Sequence, residues 1–188
     1  MRRSIWLSAL LVVAAGPAMA HPGHEASGFL HPFTGIDHLL AMVGVGMWAA
    51  LLAARRPAMA VLVPAAFLVM MAIGAAAGFA GIKLPLVEAG IMASVLVIGV
   101  LVMGAVRLPA AWAMAIVGLF AVFHGYAHAV EAPESSTGAY ILGFLAATAL
   151  LQAIGLAIGL GVRRAVGDVG VRALGGMVLA AGAVVLFA

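Results

Sequence analysis

Side chains able to hold a metal ion gather in two short stretches of this chain, "HPFTGIDH" from His31 to His38 and "FHGYAHAVE" from Phe123 to Glu131. In the second stretch, His124 and His128 are four residues apart and Glu131 follows three later, so a helix places all three on one face. Two imidazoles one turn apart can ligate a single divalent cation, and a carboxylate one turn on can complete or support the site. In the first stretch, Asp37 and His38 are neighbours and project about 100° apart on a helix. One can ligate while the other orients it. Met42, a turn beyond His38, offers a thioether, but in a chain with 11 methionines packing is the commoner use. Each group also has a structural role open to it. Histidines hydrogen-bond inside helix bundles, Asp37 suits a helix N-cap, and Glu131 at a helix end can simply be solvated.

The elements that must position these residues are apolar. Of 188 residues, 66% are hydrophobic and 8% charged, with a mean hydropathy of +1.27. A soluble domain of this size could not cover so much apolar surface with so few charges, so the composition predicts an integral membrane protein. The net charge of +3 comes from basic residues scattered singly or in pairs, which excludes a nucleic-acid-binding face. With no cysteine, disulfides and thiolate metal sites are excluded too, leaving nitrogen and oxygen ligands.

Residues 1–20 have the pattern of a cleavable signal peptide: Arg2 and Arg3, an apolar core, then Ala18-Met19-Ala20. The other reading is an uncleaved first membrane helix. Cleavage leaves a polar, histidine-containing outer segment, residues 21–36. Its free amine and imidazole at His21, with His24 and Glu25 close by, could form a weak outer metal-capture site or merely a polar tail. Residues 37–188 then form an all-α membrane domain of six transmembrane helices, over Asp37–Ala54, Ala58–Ala80, Leu86–Val106, Ala110–Val130, Gly138–Val162 and Val171–Ala188. Each run is about as long as the ~20 residues a helix needs to cross the hydrocarbon core. Gly74-x-x-x-Gly78 and Gly155-x-x-x-Gly159 are spaced for close helix approach.

With the mature N-terminus outside, Arg55, Arg56, Arg107, Arg163, Arg164 and Arg172 fall in inner loops, and only Lys83 falls in an outer one. That bias agrees with the signal peptide and puts both mature termini on the outer, periplasmic side of a bacterial inner membrane. In this topology His31, Asp37, His38, Glu88, His124, His128 and Glu131 come from three separate helices yet share one level, the outer half. Ionisable groups inside a membrane are functional candidates by default. They predict a site for a divalent metal ion.

On "HPFTGIDH" (His31, Pro32, Gly35, Asp37, His38), "FHGYAHAVE" (Phe123, His124, Gly125, Ala127, His128, Glu131) and "VEAGIMASVLVIG" (with Glu88 and Ser94), the chain resembles the HupE/UreJ family of hydrogenase and urease accessory membrane proteins. The resemblance spans essentially the whole mature chain and departs at Ala129, where glycine is frequent. It implies a nickel or cobalt permease that supplies metal to hydrogenase or urease maturation, with no enzymatic activity and no permanently bound cofactor. The residues alone stop at a divalent transition metal, since imidazole and carboxylate suit Ni²⁺, Co²⁺, Zn²⁺ and Cu²⁺. There is no G-x-x-x-x-G-K-[ST] loop for ATP hydrolysis. Two alternatives remain open. One is a membrane-embedded metal-dependent hydrolase, for which there is no H-E-x-x-H. The other is a haem-binding protein, which would need His31 or His38 opposite His124 or His128.

Overall fold

The computed structural model describes residues 28–132 and 137–187. The expected signal peptide, the outer residues His21, His24 and Glu25, and part of the acidic stretch after Glu131 lie outside the described residues. Seven helices make up the rest: α1 (His31–Thr34), α2 (Ile36–Ala53), α3 (Met59–Phe79), α4 (Val87–Met103), α5 (Ala110–Val130), α6 (Thr137–Val166) and α7 (Asp168–Phe187). No strand occurs among the described residues. The described residues are all-helical, and α2, α3, α5, α6 and α7 are each long and apolar enough to cross a bilayer, as in a membrane protein. The sixth expected span, α4, has 17 residues and reaches about 25 Å at 1.5 Å per residue. Its expected extension to Val106 is cut short by a turn at Gly104 and Ala105, where Ala105 takes a φ of 47°.

Helix pairing explains the glycines. The largest interfaces are α3 with α5, α2 with α6, and α4 with α7. Lipid tails are as apolar as leucine, so helices associate in a membrane by close packing rather than by hydrophobic exclusion. A Cβ on Gly74 or Gly125 would run into the backbone of Val122 or Met71, across the α3–α5 seam. On the α2–α6 seam a Cβ on Gly46 or Gly155 would meet the backbone of Gln152 or Val43. Both small-x-x-x-small patterns therefore lie at backbone-to-backbone contacts, where Gly159 likewise abuts Met47 and Ala50.

Successive helices alternate in direction, giving the bundle a histidine-bearing end and an arginine-bearing end. At the latter the structure corrects the expected loop between the last two spans. Arg163 and Arg164 lie in the last turn of α6, and only Gly167, at φ 77°, separates it from α7. A glycine in the left-handed conformation ends a helix without needing a loop. Asp168 then opens α7 and accepts hydrogen bonds from Arg107 Nη2 at 2.8 Å and Arg163 Nε at 2.7 Å. This pulls the start of α7 forward from the expected Val171. Arg172, now on the helix, donates from Nε to the Met103 carbonyl at 2.9 Å.

Candidate metal-binding site

At the histidine-bearing end the short helix α1 folds back over the bundle. Gly28, just before it, sits so close to Tyr140 of α6 that a Cβ would collide with the tyrosine backbone. This brings His31 Nε2 to 2.6 Å from Glu131 Oε2 at the end of α5, a bond between residues 100 apart in sequence. The rings of His31 and His128 meet edge-on with centroids 4.9 Å apart. Ligand atoms of His31, His128 and Glu131 all lie within 4.8 Å of one another. Two ligands on opposite sides of an ion with bonds of ~2.0–2.1 Å are about 4.1 Å apart, so small side-chain adjustments would let one ion bind all three.

Asp37 was expected as a possible N-cap, but Gly35 occupies that position and no side chain caps the helix. The carboxylate instead turns to its neighbour. Its Oδ1 accepts the His38 backbone N–H at 2.7 Å and lies 3.0 Å from His38 Nδ1. A proton on Nδ1 satisfies that second contact and leaves a lone pair on Nε2, which is buried with no hydrogen-bond partner. Asp37 thus acts on His38 as an orienting group.

His124 is controlled in a similar way from another helix. The Ser94 hydroxyl, on α4, donates to the Ile91 carbonyl at 2.6 Å and lies 2.9 Å from His124 Nε2. A hydroxyl has one proton to give. With that proton on Ile91, the Ser94 oxygen accepts from His124 Nε2–H, and the free lone pair of His124 falls on Nδ1, which has no partner. His128 stacks on Phe144 of α6 with centroids 4.8 Å apart and planes 11° apart, and neither of its ring nitrogens has a partner. The His38 ring meets His124 at 4.7 Å and His128 at 4.9 Å. His124 and His128 are 0% exposed and His38 is 8% exposed. Four buried ring nitrogens lack partners, at about 1–3 kcal/mol each; one nitrogen of a neutral His128 carries a proton, so a bound cation would satisfy at most three of them.

A cavity of about 240 Å³ opens onto this cluster, lined by His31, Thr34, Gly35, Asp37, His38, Glu88, Ile91 and Glu131. Glu88 projects from the first turn of α4, just after Leu86, whose φ of 59° turns the chain sharply into the helix. Of the seven intramembrane residues singled out from the sequence, His31, Asp37, His38, Glu88 and Glu131 line this cavity, and His124 and His128 lie buried behind it against the His38 ring. A macrocycle between His38 and His124 or His128 would have to separate rings already in edge contact.

The same motifs can be placed among known proteins. The HupE / UreJ protein family matches residues 9–185. The chain belongs to the HupE/UreJ family. It is 44% identical over 176 residues to Protein HupE of Rhizobium leguminosarum bv. viciae, covering 90% of each chain. No solved structure matches it. Within the matched residues, the "FHGYAHAVE" and "HPFTGIDH" segments of this chain converge here, and "VEAGIMASVLVIG" supplies Glu88 and Ser94.

What sequence reasoning missed is the role of Ser94. It stood in a motif, but its partner lies 30 residues away on another helix, and no local spacing signals that contact. Ser94→Ala is expected to free His124 to change tautomer and to weaken Ni²⁺ binding by the ~10–100-fold typical of losing a ligand's outer partner. Calorimetric titration of the purified protein measures it, and an unchanged affinity would remove Ser94 from the site.

Proposed function

We propose that this HupE/UreJ protein carries a divalent transition-metal cation, Ni²⁺ or Co²⁺, inward across the membrane through the histidine-bearing opening. The observation that carries this reading is the convergence of His31, Asp37, His38, His124, His128 and Glu131 from α1, α2 and α5, with buried ring nitrogens lacking partners. Such a donor set of imidazole and carboxylate suits a borderline metal ion. In this reading α4 crosses the bilayer as the sixth span. The opening faces the periplasm of a bacterial inner membrane, with the arginine-bearing end inside.

Transport then proceeds in three stages. His21, His24 and Glu25 raise the local metal concentration, and Glu88, Glu131 and His31 draw the hydrated cation into the cavity. The His31–Glu131 bond opens so that both, with His128, replace water ligands. His38 and His124, held by Asp37 and Ser94 with lone pairs free, take over as the ion moves deeper. A divalent cation gains about 4.6 kcal/mol on crossing 100 mV inward, at ~2.3 per charge, so uptake needs no ATP. The delivered metal would serve hydrogenase or urease maturation.

The test is ⁶³Ni²⁺ and ⁵⁷Co²⁺ accumulation in cells making the wild type or His38→Ala at equal membrane levels. Uptake by the wild type and its loss in the variant are expected. No accumulation of either ion by the wild type would overturn the proposal.

A further inference from the structure

The histidine cluster accounts for one end of the bundle and leaves the route onward unexplained. Along α6, Tyr140, Phe144, Thr148 and Gln152 recur every fourth residue, which keeps them on one slowly drifting stripe of the helix. The stripe starts at the cluster, since Phe144 stacks on His128 and the Tyr140 ring lies 6.2 Å from that of His31. It runs toward the arginine-bearing end, and Gln152 is about 12 Å beyond Phe144 at 1.5 Å per residue. The α2–α6 seam gives the same depth independently. Gln152 abuts Gly46, which lies eight residues, or about 12 Å, past His38 on α2.

Thr148 and Gln152 are 0% and 1% exposed, yet Thr148 Oγ1 and both amide atoms of Gln152 have no hydrogen-bond partner. A buried threonine in a helix ordinarily bonds the carbonyl one turn back, and Thr148 does not. A polar side chain with no partner near the middle of a membrane helix is costly, which makes it a candidate for a pathway. A second copy of the chain cannot reach groups so fully enclosed.

We propose that Thr148 Oγ1 and Gln152 Oε1 form a second, inner cation site, a weak oxygen-donor waypoint between the histidine cluster and the arginine-bearing end. Neutral oxygens bind a borderline cation more weakly than imidazole does. Conduction needs that gradation, because an ion must be held well enough to enter and loosely enough to leave. The inference rests on the uptake function proposed above.

The experiment compares ⁶³Ni²⁺ uptake and equilibrium Ni²⁺ binding for the wild type, Gln152→Leu, Thr148→Val and Thr148→Ser at equal membrane levels. Loss of an oxygen donor from the path is expected to slow uptake about tenfold or more in Gln152→Leu and Thr148→Val. Thr148→Ser keeps the hydroxyl and transports like the wild type. Equilibrium binding at the histidine cluster stays unchanged in all three, and thermal stability in detergent is kept or raised in the two apolar variants. Wild-type uptake rates in both Gln152→Leu and Thr148→Val would overturn the inner site while leaving the uptake function standing. Loss of uptake together with loss of Ni²⁺ binding or of folded protein would assign these residues a structural role and overturn it too. No uptake by the wild type would overturn both proposals.

Discussion

His128→Leu is expected to abolish Ni²⁺ uptake while leaving the metal-free protein as stable as the wild type or more so. Leucine is close to histidine in volume, so the space beside Phe144 stays filled and the helix register is undisturbed. The variant removes two buried ring nitrogens that have no partner. An unsatisfied buried polar atom costs about 1–3 kcal/mol, so their loss favours the folded state without metal. Transport moves the other way. His128 touches His31 and His38 and shares the group of close ligand atoms with Glu131. Losing a direct ligand should exceed the ~10–100-fold typical of losing an outer partner. Thermal unfolding in detergent with and without Ni²⁺ separates the two effects. The wild type gains about 2.7 kcal/mol at a metal concentration 100 times the Kd, whereas His128→Leu shows no gain. A variant that unfolds well below the metal-free wild type would mean that the histidine is there for packing, and full uptake would remove it from the path.

The second large effect is structural. Gly125→Val is expected to destabilise the protein by about 3 kcal/mol or more, at the upper end of what overpacking does. A Cβ at Gly125 meets the Met71 carbonyl and lies 3.0 Å from the Ala75 nitrogen, both backbone atoms on α3. Neither side chain rotation nor a local shift relieves such a contact, so α3 and α5 must part. His124 and His128 flank Gly125 on α5, and parting the helices moves them away from His38. The control is Gly161→Ala, where nothing lies within 4 Å of the added carbon. There the higher helix propensity of alanine favours the variant by roughly 0.8–1.0 kcal/mol. Membrane levels and unfolding temperatures of the two variants test the pair. Wild-type stability in Gly125→Val would mean that the close seam is not what holds these helices together.

Much of this protein is written in local patterns. Long apolar runs announce membrane helices because hydropathy and length are properties of a segment alone. The i, i+4, i+7 spacing of His124, His128 and Glu131 and the adjacency of Asp37 and His38 likewise need only helical geometry. Alternating helix direction then brings Glu88 and His31 to the same end. Boundaries were less legible. Arg163 and Arg164 read as a loop, because two adjacent charges interrupt an apolar run, yet α6 continues through them. The pairing that holds Arg163, with Asp168 five residues on and through it to Arg107, joins two parts of the chain 61 residues apart.

From its sequence alone this chain determined its class, its helices and the set of ionisable groups gathered at one end. Only the tertiary structure decided which ring nitrogens are free, through Asp37 on His38 and through Ser94 on His124. It also decided that His31 reaches Glu131, and that Thr148 and Gln152 lie enclosed without partners below the cluster. The physical reason is the range of the interactions. Hydropathy and helical spacing act over a turn or two, whereas a tautomer or an unpaired amide depends on atoms brought together by glycine seams between helices far apart in sequence.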